Sequence, residues 1–296
     1  MSRLKGKAPA EVLPGKTKGV IFGASGVGKT WFTLSFPTPY YIDTEGGADL
    51  KHYQNRLAAA NGVYMGTAEG SLDFNAVVDQ IQALATEKHP YKTLIIDSIT
   101  KLYQIAIANE QERLGEKDVF GASKKPAIAG MRRLVNWISR LDMNVWFVAH
   151  EVTEWGDVNG QRQEVGKIPD IWDKLIYELH LTLRVIRQGK TTLPPVAIVH
   201  KSRLTGFGMM DRFPLEYAEF ATRYGKDYIE GETKPIILAK PEQVSEIVRL
   251  VELLKISAEE QEKMLTKASA DKWEELSTEM AAKAITWLKI KIEGKE

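Results

Sequence analysis

The residues Gly23-Ala24-Ser25-Gly26-Val27-Gly28-Lys29-Thr30 combine types and spacing suited to holding a chain of phosphates. They form the pattern G-x-x-x-x-G-K-T between an apolar run, Val20-Ile21-Phe22, and a helix-like segment, Trp31-Phe32-Thr33-Leu34. Glycines let successive backbone N–H groups turn inward around an anion, and the helix that follows adds its positive end. In such a turn the Lys29 ammonium reaches the β- and γ-phosphates, and the Thr30 hydroxyl becomes a ligand for Mg²⁺. A strand, a glycine-rich turn and a helix start, in that order, predict a site for a nucleoside triphosphate with Mg²⁺. Adenine is the expected base, so the expected ligand is ATP.

A second informative stretch is Thr93-Leu94-Ile95-Ile96-Asp97-Ser98, four residues rich in β-formers that end in an acid. This is the pattern of a buried parallel strand with its carboxylate at the carboxyl edge of the sheet. The phosphate loop lies at the same edge, so Asp97 can hold Mg²⁺ directly or through water. Two more runs end in polar groups at that edge. Tyr40-Tyr41-Ile42 leads to Asp43-Thr44-Glu45, and Asn144-Val145-Trp146-Phe147-Val148-Ala149 leads to His150.

These strands need a scaffold, and the chain has room for one. Its 296 residues suit one large α/β domain with a small appendage. A formal charge of +1 argues against a globally basic nucleic-acid coat, so any such contact must come from local patches. With no cysteine, disulfides, thiolate metal sites and cysteine nucleophiles are excluded. The histidines (His52, His89, His150, His180, His200) lack metal-ligand spacing. No long apolar run suggests a membrane span, and residues 1–19 lack the apolar core of a signal peptide, so the cytoplasm is expected.

Residues 1–18 are rich in lysine, with Arg3 among them and Glu11 the only acid, and are expected to form a mobile basic arm. An ATPase core is expected over 19–235. Within it, helices are predicted near 48–60, 72–86, 99–114 and 127–141, and a short strand around 63–65. A polar connection ending in Lys124-Lys125-Pro126 joins the last two helices, and residues 151–168 read as a long glycine-dotted loop. A short helix is expected over 171–175, then strands over 180–186 and 196–199 as a possible antiparallel pair. The composition changes near Pro241. Residues 241–296 read as three or four helices, capped at Ser257 and at Ser277 or Thr278, with Val244, Ile247, Val248, Val251 and Leu254 in one stripe. Such a small unit buries a modest core and is expected to lean on the main domain or on a partner.

The order of these parts resembles the RecA fold over about 19–205: a phosphate loop, Asp43-Thr44-Glu45 after the second strand, Ile95-Ile96-Asp97-Ser98, then a strand closed by His150. The fold class implied is α/β, a RecA-like P-loop core with a mostly parallel sheet flanked by helices, carrying a small all-helical C-terminal module. By this resemblance Glu45 activates the attacking water, with Asp43 as the rival base, and His150 senses the γ-phosphate and leads into a DNA-binding loop. The connection at 115–126 resembles a first DNA loop. Lys201-Ser202-Arg203 resembles the basic pair that RecA inserts into a neighbouring subunit's ATP site, and Asp49 holds the position of an adenine contact. Single-stranded DNA would be held through Lys124, Lys125, Arg162 and Lys167. Trp155 offers either a surface for stacking a base or packing under its own loop.

More narrowly, the short distance from the phosphate loop to Glu45, the triplet Ala149-His150-Glu151 and the Lys-Ser-Arg after the last strand resemble the phage-encoded, RecA-like single-strand annealing proteins of the Sak group. The resemblance implies a DNA-stimulated ATPase in host cytoplasm that anneals or exchanges strands and assembles as a ring or filament. Its C-terminal helices, similar to modules on phage recombination proteins, could engage a single-strand DNA-binding protein. Two other readings stay open: a RecA-fold motor on duplex or forked DNA, and a nucleotide-gated adaptor that docks a replication partner.

Overall fold

Val20-Ile21-Phe22 and Leu94-Ile95-Ile96 offer no polar side chain to either face, which suits strands covered on both sides. In the computed structural model, which describes residues 15–117, 121–189 and 193–293, all six side chains are fully buried. The strands are β1 (Lys18–Phe22), β2 (Pro39–Asp43), β3 (Val63–Met65), β4 (Thr93–Asp97), β5 (Asn144–Ala149), β6 (Glu151–Val158), β7 (Gln161–Pro169), β8 (Leu181–Ile186), β9 (Val196–Ser202) and β10 (Arg212–Pro214). The helices of the core are α1 (Lys29–Thr33), α2 (Lys51–Ala59), α3 (Phe74–Thr86), α4 (Ile99–Leu114), α5 (Lys124–Arg140), α6 (Leu175–Glu178), α7 (Tyr217–Tyr224) and α8 (Lys226–Glu230).

Eight strands form one sheet in the order β10-β9-β8-β1-β5-β4-β2-β3. The pairings from β8 through β3 are parallel, and β9 joins β8 in the antiparallel sense, as does β10 to β9. Side chains alternate across the sheet, so each strand feeds two cores. Val20 and Phe22 pack with residues of α3, α4 and α5, whereas Ile21 packs with residues of α1, α7 and α8. On the second face Trp146 meets Phe32, Phe36 and Phe220 edge-on, with ring centroids 5.6, 5.4 and 5.4 Å apart. This is the RecA-like P-loop layout, and it brings the carboxyl ends of β1, β2, β4 and β5 together.

The C-terminal unit comprises α9 (Pro241–Leu253), α10 (Ala258–Lys267) and α11 (Thr278–Glu293) around their own small core, which includes Ile247, Leu250, Leu276 and Leu288. It leans on α5. Arg140 Nη2 donates to Glu275 O at 2.5 Å, and Asn136 Nδ2 to Asp271 Oδ1 at 3.2 Å. The linking segment also binds the core, with Ile236 N–H donating to Ala85 O at 2.7 Å.

Four sequence expectations need correction. Residues 15–18 do not belong to a mobile arm: Thr17 is buried, Lys16 Nζ donates to Gly231 O at 2.5 Å, and Lys18 opens β1. The rest of the expected arm lies outside the described residues. Helix α5 starts at Lys124, before Pro126, because proline tolerates the first turn of a helix. The short helix after the loop covers Leu175–Glu178 rather than 171–175. Residues 151–168 are not a loop but the antiparallel hairpin β6–β7. Its turn is Asn159-Gly160, with φ of 56° and 78°, the backbone of a two-residue turn between twisted strands.

Candidate active site

The phosphate loop follows β1 and runs into α1. Gly23 has φ of 151°, and a Cβ there would lie 2.4 Å from Val185 O, so β8 leaves room for glycine alone. Gly28 faces the start of β9, where Pro195 Cγ would stand 3.1 Å from an added Cβ. The buried Lys29 ammonium donates to Gly23 O and Ala24 O, each at 2.8 Å, and so lies across the mouth of the loop. Burial lowers its pKa, while the negative charges of Asp97, Glu45 and Glu151 oppose that shift.

Asp97, at the end of β4, is buried beside the loop. Thr30 Oγ1 donates to Asp97 Oδ2 at 2.5 Å, and Tyr41 OH approaches the same oxygen at 3.4 Å. Burial pushes the Asp97 carboxyl up to about 6; the Thr30 hydrogen bond opposes this, and the charges of Glu45 and Asp43 add to it. A hydroxyl and a carboxylate that converge on one point are the hard oxygen donors Mg²⁺ takes, so the residues present fit that ion.

Beyond β2 the chain turns around Asp43. This side chain is buried, and both its oxygens accept from backbone: Oδ1 from the N–H groups of Glu45 and Gly46 at 3.0 Å, and Oδ2 from Ala48 at 2.6 Å. Asp43 therefore shapes the turn, and of the two acids it is Glu45 whose carboxylate is left outside that backbone network. Thr44 latches the turn to β4, its N–H donating to Asp97 O at 2.7 Å and its Oγ1 accepting from Ser98 N at 2.8 Å. Glu45 is presented outward. Its Oε1 accepts from Ser98 Oγ at 2.5 Å and lies 2.6 Å from His150 Nε2. Desolvation raises the Glu45 pKa, but the hydrogen bonds from Ser98 and His150 and the nearby charges of His150 and Lys101 outweigh it and hold the carboxyl below its ordinary value.

His150 joins β5 to the hairpin. Its N–H donates to Thr100 Oγ1 at 3.0 Å, and its carbonyl accepts from Asp170 N at 2.9 Å, which ties both ends of the hairpin to the start of α4. Glu151 is paired with Arg184 of β8 at 3.3 Å. Farther out, Trp155 is 55% exposed, so it does not pack under its own segment. The Arg162 guanidinium lies 5.7 Å from the Trp155 ring centroid, and Lys167 binds Glu164 at 2.9 Å and Thr153 at 2.7 Å.

The remaining predicted residues are scattered. Asp49 is exposed in the turn after β2, and Lys124 and Lys125 are exposed at the start of α5, behind a connection of which residues 118–120 lie outside the described residues. Lys201 and Arg203 stand at the opposite edge of the sheet, because β9 runs antiparallel and Ser202 pairs with Leu181 at the start of β8. There Lys201 Nζ donates to Ile176 O at 2.7 Å and also to Leu179 O, and Arg203 donates to Tyr177 O. Neither cation reaches the phosphate loop of its own chain. Burial, with the charge of Arg203 adding to it, lowers the Lys201 pKa to about 8.

Sequence reasoning missed Ser98 as a partner of Glu45, and it missed an aromatic patch beside the phosphate loop. Arg56 stacks 4.0 Å from the centroid of Trp31, with His52 and Tyr53 nearby. A cleft of about 510 Å³ opens there, between Trp31 and Arg56 on one side and Pro194, Pro195 and Tyr217 on the other. The available signal was an exposed tryptophan directly after Lys29-Thr30, where a helix interior would have an apolar residue turned inward.

The family model of an AAA domain matches residues 15–206, and the chain belongs to that family. It is a P-loop ATPase, which implies ATP as ligand and typically Mg²⁺. Among curated proteins, none matches the chain. Among solved structures it is similar to an ATPase from the type III secretion system of pathogenic bacteria, with 12% identity over 92% of this chain and 79% of that one and a TM-score of 0.39. At that score the likeness bears on no functional point. No helix among the described residues is long and apolar enough to cross a membrane.

Proposed function

We propose that ATP hydrolysis at this sheet edge is coupled to single-stranded DNA held on the β6–β7 hairpin, in the service of strand annealing or exchange. The observation that carries the reading is the 2.6 Å contact between Glu45 and His150, the residue from which the hairpin springs. In the reaction Lys29 leaves the carbonyls of Gly23 and Ala24 for the γ-phosphate. Mg²⁺, held by Thr30 and Asp97, would neutralise charge on the β- and γ-phosphate oxygens. Glu45 orients a water and takes its proton as the new oxygen–phosphorus bond forms and the bridging bond to the β-phosphate breaks. The adenine base would rest in the cleft between Trp31 and Pro195.

His150 is the coupling element. While it and Ser98 hold Glu45, the carboxylate is a weak base; movement of the hairpin that draws His150 away raises its basicity. Single strands stacked on Trp155 and neutralised by Arg162, Lys167, Lys124 and Lys125 would supply that movement. ATP turnover with and without single-stranded DNA, at low and moderate salt, tests this. Single strands should stimulate turnover, and His150→Ala should abolish the response.

A second reading is favoured by the hairpin's own charge, four acids against two bases between 151 and 169, and by its exposed Val152, Val158 and Val165. The hairpin would then dock a protein, and the chain would be a nucleotide-gated adaptor. ATP binding with no response to DNA selects it.

In a ring or filament, Lys201 and Arg203 would serve a neighbour's phosphates after leaving the carbonyls they now cap. Mixed Arg203→Ala and Lys29→Ala subunits should then regain part of the ATPase activity. Absence of complementation at every ratio leaves the two cations as caps.

A further inference from the structure

The C-terminal unit presents a groove that no part of the ATPase cycle uses. It measures about 330 Å³, its floor includes Met264, Trp273, Met280 and Trp287, and Lys267 and Lys283 stand at its rim. Trp287 is 47% exposed. The groove is open while the unit is docked on the core: Leu265 and Ser269 of the α10 segment line a cleft against α5, and Met264 and Ala268 turn to the groove instead.

Charge identifies the occupant. Residues 241–293 carry eleven acids and eight bases, yet no acid lines the groove. Most other cations of the unit are already paired: Arg249 and Lys289 with Glu246, Lys263 with Glu259, Lys291 with Glu260. Lys267 and Lys283 form no ion pair among the described residues. An apolar trough with two uncommitted ammonium groups at its rim, on an otherwise acidic unit, complements a ligand that is apolar and negative together. Methionine suits such a surface because its flexible thioether repacks around differing side chains.

We propose that this groove docks an acidic protein segment bearing aromatic or bulky aliphatic side chains, supplied by a partner protein. The apolar side chains enter between Trp273 and Trp287, and the acids lie against Lys267 and Lys283. The proposal does not depend on what the ATPase site acts upon.

Fluorescence anisotropy of a labelled synthetic peptide that alternates Asp or Glu with Phe and Leu, titrated with the full chain, tests it. A control peptide carries Lys at every acidic position. The acidic peptide should bind and the basic one should not. Trp287→Ala, and separately the double change Lys267→Glu with Lys283→Glu, should each weaken binding roughly tenfold or more. All three positions are exposed, so ATP turnover should stay unchanged in both variants and report an intact fold. Equal binding of the two peptides, no binding of the acidic one, or an affinity insensitive to these substitutions overturns the proposal. Self-association of the chain that Trp287→Ala abolishes and the acidic peptide cannot compete would overturn it too, and would assign the groove to a second copy.

Discussion

The carboxyl edge of the sheet and the hairpin beyond it are stabilised by opposite kinds of contact. At the edge, polar groups are buried and fixed by backbone: Asp43 by three N–H groups, Thr44 by β4, Lys29 by two carbonyls. On the hairpin, side chains meet mainly each other in the open, Arg162 with Trp155 and Lys167 with Glu164. Backbone-anchored groups keep their geometry when a ligand arrives, which suits transition-state stabilisation. Exposed side-chain pairs cost little to rearrange, which suits a surface that adapts to what it binds. Glu45 and His150 stand at the seam, where an anchored turn touches an adaptable element.

The largest expected effect belongs to the anchored side. Glu45→Gln keeps the size of the side chain and removes the carboxylate proposed as the base. Turnover should fall by about 10²-fold or more while nucleotide still binds. Unchanged turnover would erase the distinction between Glu45 and its structural neighbour. Asp43→Ala should act differently, since it strands three buried or half-buried N–H groups. A loss on the order of 3 kcal/mol in the free energy of unfolding is expected by denaturant titration.

On the adaptable side, Trp155→Ala should leave stability within about 0.5 kcal/mol of the parent. Single-strand affinity should drop by on the order of 1–3 kcal/mol, with a steep salt dependence retained from the cations. A hairpin tryptophan whose loss unfolds the protein would break the contrast.

The smallest effect tests burial itself. Asp97 titrates near 6 in the fold against an ordinary 3.8, so between those values the folded chain holds a proton that the unfolded chain has lost. Its contribution to stability is complete below the lower value and is lost as pH rises through about 6. Asn cannot ionise. In buffer free of nucleotide and Mg²⁺, Asp97→Asn should gain on the parent as pH rises, by on the order of 1.5 kcal/mol between pH 5 and pH 8. A difference that shrinks with rising pH would contradict the assignment.

The legible parts of the chain were those whose signal is local or doubly buried. The phosphate loop declares itself because its glycines, lysine and threonine act within one turn of backbone. β4 and β5 declare themselves because both faces are apolar. The hairpin escaped although Asn159-Gly160 is a two-residue turn signal, because neither of its faces is covered. Without a buried face nothing forces its side chains into the alternation that marks a strand. Glu45 was preferred to Asp43 on the resemblance alone, since one closes the strand and the other stands two residues on, and only the path of the turn decides which faces backbone. Ser98 and Arg56 were missed because their partners lie 53 residues upstream for the first and 25 upstream for the second.

By itself the sequence determined that this chain folds as a P-loop α/β core with a helical unit behind it, and that Lys29, Thr30 and Asp97 share one site. Those facts rest on short-range backbone geometry and on hydrophobic runs, which hold wherever the segment finds itself. The tertiary structure decided that Asp43 and not Glu45 is bound up by backbone N–H groups, that His150 ties Glu45 to a hairpin, and that Lys201 and Arg203 lie at the far edge. Each of these depends on the order and direction in which strands pair, and residues distant in the chain become neighbours only through that pairing.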